Sequence, residues 1–267
     1  MKSIINVMLV LLLSMSASGC NATEDGVLWL GDAVGGSGTA GSDVRGLPPI
    51  TGVRLATVGV LTIQLGDKSE LLIEADDNLI KHFVTKVDDG ILTIKTEDGI
   101  SMRLRSGVKF TLTVPSLSSV RSSSSGDIIA PVLTAERFEA ECSSSGDIRI
   151  KGIKAARIEL SASSSGDFLV GGVKADAVEV SLSSSGDCRI RDGKAKRLEA
   201  SLSSSGDFDA SDVEVGEATV RCSSSGDARV WVTGRLRASS SSSGDVLYRG
   251  DPKVEARESS SGDVRKL

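Results

Sequence analysis

The pentapeptide Ser-Ser-Ser-Gly-Asp recurs eight times, ending at Asp127, Asp147, Asp167, Asp187, Asp207, Asp227, Asp245 and Asp263, with five spacings of 20 residues followed by two of 18. Units this short cannot bury an apolar side alone, so a strict period predicts stacked coils sharing one continuous, narrow core. The residue after each aspartate is Ile128, Ile148, Phe168, Cys188, Phe208, Ala228, Val246 or Val264. A flexible serine-rich linker has no reason to keep apolar residues at fixed offsets. With 39% hydrophobic and 25% charged residues, the chain has the balance of a folded protein.

Each coil reads as strands. Ile148-Arg149-Ile150 and Arg157-Ile158-Glu159-Leu160 alternate with period two, and Lys151-Gly152-Ile153-Lys154 between them reads as a glycine turn. The fold class expected is all-β: a parallel β-helix or β-solenoid of about eight coils, its strands in register and its hydrogen bonds along the rod axis. At ~4.8 Å per coil the rod is about 40 Å long. The repeat glycine is expected at positive φ, with the following aspartate bonding backbone amides at the corner, so the eight aspartates are assigned as structural corner residues.

Outward columns carry charge. Arg149, Arg189, Arg229 and Arg265 stand two residues beyond an aspartate and on its side of the strand, while Glu139, Glu159, Glu179 and Glu199 form a second column with Arg137, Arg157 and Arg197 two residues before. These predict charge-compensated ladders, each exposed pair contributing at most ~1 kcal/mol. Glu258 and Arg265-Lys266-Leu267 make the last coil polar, which discourages end-to-end pairing of rods.

Residues 50–115 lack the repeat but are rich in strand patterns, among them 60–65, 71–75, 91–94 and 109–114, with Asp88-Asp89-Gly90 as a turn. They are expected to cap the rod and give its first coil a partner. Three features stand here in order: Ile63-Gln64-Leu65 with Leu72-Ile73-Glu74 and Asp76-Asp77-Asn78-Leu79-Ile80; Val87-Asp88-Asp89-Gly90-Ile91-Leu92-Thr93-Ile94; and Phe110-Thr111-Leu112-Thr113-Val114-Pro115-Ser116-Leu117 leading into the Ser-Gly-Asp coils. In this order they resemble the autotransporter-adhesin head domain family, also called the head GIN domain, over about residues 45–267. The resemblance implies an exported β-helical domain, often lipid-anchored, with an adhesin role. The chain departs from that family in having Ser-Ser-Ser where Ser-Gly-Ser is common.

The first residues form a targeting segment. Lys2 is followed by an apolar run from Ile4 to Leu13, too short to span a membrane, and then by Ala17-Ser18-Gly19-Cys20. The ending resembles a lipobox, which implies cleavage after residue 19 and lipidation of Cys20; the competing reading is an ordinary secretory signal with an incidental cysteine. A lipid anchor places the chain at a membrane, and Asn21 after the cysteine favours the outer membrane. The expected division is 1–19 signal peptide, 20–49 Gly/Ser-rich tether, 50–115 cap and 116–267 solenoid, with 50–267 one domain. Removal of Lys2 with the signal leaves 30 basic and 36 acidic residues, which disfavours nucleic acid as a partner.

Cysteines fall into columns too. Cys142 and Cys222 precede Ser-Ser-Ser, where the intervening coils have Ala162, Leu182 and Leu202; about 19 Å separates the two sulfurs at ~4.8 Å per coil, too far for a disulfide. With Cys188 they are expected as buried small hydrophobes.

The pattern as a whole predicts a non-enzymatic exported lipoprotein that presents a rigid rod, as an adhesin or cell-envelope interaction protein. An envelope polysaccharide or a surface protein is the expected ligand; the alternative within the class is a structural envelope protein without one. A β-helix carbohydrate-active enzyme is the competing class, since paired carboxylates hydrolyse glycosides. An active site is a local exception to a repeat, however, and these aspartates recur in every coil. His82 is the sole histidine, and Trp29, Trp231 and Tyr248 are the aromatic residues available to stack on sugars. Calcium rolls have a denser Gly-Asp pattern, and one aspartate per corner is a poor cage for six or more oxygens. A flat serine lattice built on Ser143 and Ser145 is the remaining reading. No nucleophile-base pair, cofactor motif or zinc spacing is present, so no catalytic, metal or cofactor residue is assigned.

Overall fold

The structure, a computed structural model, describes residues 33–267, and Cys20, Trp29 and the targeting segment lie outside it. The described residues open with β1 (Ala33–Gly35) and β2 (Ala40–Gly46), followed by β3 (Gly52–Ala56), β4 (Val60–Leu65) and β5 (Glu70–Asp76). A 3-10 turn at Ile80–His82 leads into β6 (Phe83–Asp88), β7 (Ile91–Thr96), β8 (Ser101–Arg103) and β9 (Lys109–Val114). Alternation sets the inner face: Val53 and Leu55, Leu61 and Ile63, Leu71 and Ile73, and Phe110 and Leu112 are buried. β6 and β7 form a hairpin through Asp89 (φ 48°) and Gly90 (φ 76°), a pair of left-handed residues whose twist suits a two-residue hairpin loop.

Residues 33–46 differ from the tether expected of them. β2 pairs antiparallel with β5 from Ala40–Asp76 to Gly46–Glu70, and β1 pairs parallel with β8. Two glycines of this segment, Gly36 and Gly41, serve close approach instead of slack. A Cβ on Gly41 would lie 2.8 Å from the Asp77 Cα, and one on Gly36 would overlap the Asp76 carboxylate.

The cap presents its last pair of parallel strands as a template. β10 (Ser119–Ser122) pairs with β3, and β11 (Asp127–Cys142) starts on β4 with Asp127 opposite Val60. β12 (Ile148–Ala162) then stacks on β11 in register from Ile128–Ile148 to Cys142–Ala162. Every later coil repeats this parallel pairing, giving a β-solenoid of about seven turns. The sequence predicts two strands per coil, and three coils have them: Phe168–Val170 with Val173–Leu182, Cys188–Ile190 with Gly193–Leu202, and Val246–Arg249 with Lys253–Glu258. In β11, β12, Phe208–Cys222 and Ala228–Ser240 the strand instead runs on through the expected turn, with pairing between β11 and β12 resuming at Val132–Gly152 just past the bend.

The step from 20 to 18 residues occurs at one place. Ala210 faces Val230 and Glu214 faces Trp231, so Ser211, Asp212 and Val213 have no partners on the next coil, while Thr233 and Gly234 add a residue opposite Gly216. Arg249 closes this irregularity, its guanidinium 4.5 Å from the Trp231 ring centre and 3.4 Å from Asp212.

A single core runs through cap and rod, with Phe83, Phe110, Phe138, Phe168 and Phe208 fully buried in it. Each large apolar side chain so placed contributes about 1.5–3 kcal/mol. At the last coil the Glu258 carboxylate accepts the Val264 N–H at 2.8 Å, so this acid terminates a column that is apolar further up.

Candidate functional site

The aspartate column is a hydrogen-bonded ladder. Oδ1 of Asp127 accepts the backbone N–H of Asp147 at 3.0 Å, and the same bond recurs from Asp147 to Asp167, Asp167 to Asp187, Asp187 to Asp207, Asp207 to Asp227, Asp227 to Asp245 and Asp245 to Asp263, all between 2.8 and 3.0 Å. Each carboxylate thus satisfies an amide that the sharp corner leaves without a strand partner. Arg149 bridges Asp127 and Asp147 at 3.3 and 2.7 Å, Arg265 reaches Asp245 at 2.9 Å and Arg229 reaches Asp227 at 3.7 Å. Arg189 departs from the expected partner and lies 3.5 Å from Asp209, which occupies the arginine column of the next coil.

The repeat glycines correct one expectation. Positive φ occurs at Gly59, Gly193 and Gly250 but at none of the corner glycines. What excludes a side chain there is stacking: a Cβ on Gly146, Gly166, Gly186, Gly206, Gly226 or Gly244 would overlap the carbonyl oxygen of the corner glycine one coil earlier. The serines complete the corner, with Ser183, Ser203 and Ser223 hydroxyls donating to the carbonyls of Ala162, Leu182 and Leu202 at 3.4, 3.4 and 3.2 Å. These three hydroxyls are tied to the rod.

The glutamate column is compensated along the axis. Arg121 reaches Glu139 at 2.9 Å, Arg137 reaches Glu159 at 2.8 Å, Arg157 reaches Glu179 at 2.7 Å, and Arg221 reaches Glu199 at 2.5 Å. The donor therefore comes from a neighbouring coil, and Arg221 replaces the expected Arg197.

Cys142, Cys188 and Cys222 are free and buried. Desolvation, reinforced by the corner carboxylates, pushes the Cys142 and Cys222 thiols up to about 12 and raises Cys188 as well, so none is a ready nucleophile. His82 sits in the cap with Nδ1 2.9 Å from Glu97 Oε2, remote in sequence and fold from the corner. Among the described residues, no group of His, Cys, Asp and Glu is arranged to hold a metal ion. Trp231 is covered on one face by Arg249, and Tyr248 packs against the core.

Two features escape sequence inspection. Asp76 is inaccessible to solvent and accepts Arg105 N–H at 2.9 Å, Ser106 Oγ–H at 2.8 Å and Gly38 N–H at 3.1 Å. These bonds, the Arg105 amide first, hold its carboxyl below the usual carboxylate range. Asn78 donates to the Gly35 carbonyl at 2.9 Å and accepts the Ser37 N–H at 2.8 Å. The Asp76-Asp77-Asn78 run is thus a clasp that fastens residues 35–38 and 105–106 to the cap. The second feature is a shallow trough of about 730 Å³ on the side of the rod, floored by Ala155, Ala175 and Ala195 and edged by Lys154, Lys174 and Lys194, with Asp176 and Glu214 also in its lining. Lys154, Lys174 and Lys194 are successive partners in the ladder.

Fold and corner together define a parallel β-solenoid raised on a mixed-sheet cap. The model of the family described as "Putative auto-transporter adhesin, head GIN domain" matches residues 50–191 and again 139–252, and the chain belongs to that family. Among solved structures, a "putative lipid binding protein" from Parabacteroides distasonis is 23% identical with a TM-score of 0.81, over 88% of this chain and 99% of that one. A "putative adhesin" from Parabacteroides merdae is 21% identical with a TM-score of 0.83, over 88% and 99%. A further "putative adhesin" from Bacteroides fragilis is 18% identical with a TM-score of 0.67, over 88% and 100%. At these identities the likeness is one of fold. No curated protein matches the chain.

Proposed function

We propose that the chain is an exported lipoprotein, anchored through Cys20 at the outer membrane, that presents a non-enzymatic β-solenoid as an adhesive or envelope-binding module. One observation carries this reading. From Asp127 to Asp245 every corner carboxylate accepts the amide of the next coil, so the column that most resembles a set of catalytic acids is committed to holding the rod together. Membership of a family described as adhesin heads supports the same reading. Solenoids suit it physically, because stacked coils offer long regular faces to an extended partner.

The test uses the full-length protein, applied to envelope polysaccharides, extracellular-matrix proteins and intact cells with calcium and with chelator. Saturable binding unchanged by chelator is expected. Polysaccharide turnover abolished by a single corner Asp substitution would replace binding with catalysis. Anchoring is tested separately: Cys20→Ala is expected to abolish metabolic incorporation of an alkyne fatty acid and to release the protein from the membrane fraction.

A further inference from the structure

We propose that the lysine-edged trough is a binding site for an extended acidic polysaccharide lying along the rod axis. This rests on the binding-module reading above and supplies its ligand class. The trough continues around the neighbouring bend, where Lys151 and Arg191, with Asp192 as the one acid, line a surface that includes Gly152, Gly171 and Gly172. Glycine and alanine beneath long cationic side chains make a groove open to a polymer and too shallow to enclose a small molecule.

The trough carries a surplus of positive charge: its acids Asp176 and Glu214 are taken up by Lys196 at 2.7 Å and Lys194 at 3.0 Å. The rod compensates Glu139, Glu159, Glu179 and Glu199 with an arginine each, yet among the described residues Lys151, Lys154, Lys174 and Arg191 have no carboxylate within ion-pair distance. Lys154 and Lys174 occupy adjacent coils ~4.8 Å apart, where like charges repel. An anionic chain laid along the row removes this repulsion. One coil rise is of the order of one sugar residue, so carboxylates or sulfates carried on successive or alternate sugars meet cations on successive or alternate coils.

Other polyanions fit less well. No aromatic side chain lines the trough, which leaves nothing for nucleic-acid bases to stack upon. Val44, Val58, Leu65 and Val84, which are exposed and suited to entering a lipid surface, belong to the cap, and Ile129 alone of the exposed large apolar residues borders the trough.

The experiment measures calorimetric binding of the full-length protein to hyaluronate, to polygalacturonate and to neutral dextran, with phosphatidylglycerol vesicles and a single-stranded DNA oligonucleotide alongside. The trough variant is Lys151→Glu/Lys154→Glu/Lys174→Glu; the control is Lys68→Glu/Lys81→Glu/Lys109→Glu on the cap, which changes net charge equally. Thermal melts establish that both remain folded, and the milder Lys→Gln trough variant substitutes should the Glu form misfold. Saturable, salt-sensitive binding to an acidic polysaccharide is expected, weakened at least about tenfold by the trough variant and little by the control. Equal loss in both variants, or a trough-dependent preference for vesicles or DNA, overturns the proposal. If neutral polymers or matrix proteins bind and acidic polysaccharides do not, the trough assignment fails while the binding-module reading stands; if nothing binds, both fail.

Discussion

Alanine at Gly186 would place a methyl group against the carbonyl oxygens of Gly166 and Ser164, with the latter 2.8 Å away and both part of the backbone. Gly186→Ala is therefore expected to destabilise by about 1–3 kcal/mol, read as a lowered denaturation midpoint. Gly46→Ala, with nothing within 4 Å of the new methyl, is the control and is expected to be near neutral. The repeat shows in sequence that the corner needs glycine, but not why. Backbone handedness is a local property, whereas the overlap arises only when a second coil lies on the first. Asp76 is similar. Its place in Asp76-Asp77-Asn78 is visible, but its three donors come from residues 38, 105 and 106, distant along the chain. Because its folded pKa is depressed, the stability it contributes is present above its ordinary value of 3.8 and is lost as pH falls below that through the lower folded value. Asp76→Asn, which turns an amide donor toward other donors, is expected to lower the melting temperature at neutral pH and to flatten its decline in acid below about pH 4.

Among elements, the inward columns were the most legible, because apolar residues at fixed offsets from Gly-Asp need no knowledge of the bend between strands. Their burial makes a simple prediction. Cys142, Cys188 and Cys222 should resist Ellman's reagent in the folded protein at pH 8 and react fully in denaturant; rapid native labelling of any of them would contradict the inward placement. β2 was illegible, since Ala40-Gly41-Ser42-Asp43-Val44-Arg45-Gly46 has the composition of a linker and its only large apolar residue, Val44, is exposed. Pairing with β5, not side-chain pattern, makes it a strand. The lysine row was hidden for a related reason. Lys151 and Lys154 read as turn residues within one coil, and only the register of Lys154, Lys174 and Lys194 on successive strands turns them into the edge of a trough.

For the whole molecule, near-identical coils mean that length and stability are separable. Deleting Phe168–Asp187 joins Asp167 to Cys188 and brings Ile148 opposite Cys188, the same column, so a cooperative melt with an unchanged β-type circular dichroism spectrum is expected. Deleting Phe168–Ala177 removes half a coil, puts Asp167 before Val178 and moves every later column off its partner. That variant is expected to be aggregated or unfolded.

The corner ladder also has a direction. In each bond the carboxylate belongs to the earlier coil and the amide to the later, and the first corner amide, that of Asp127, is received by the Gly59 carbonyl of the cap at 2.9 Å. A chain that folds from its N-terminal end therefore meets, for each new corner amide, an acceptor already in place on the coil before it. Assembly can proceed as a zipper from the cap outward, since each finished coil in turn holds out the N–H after its aspartate, as Ile128 does to the Asp147 carbonyl at 2.8 Å, for the coil that follows.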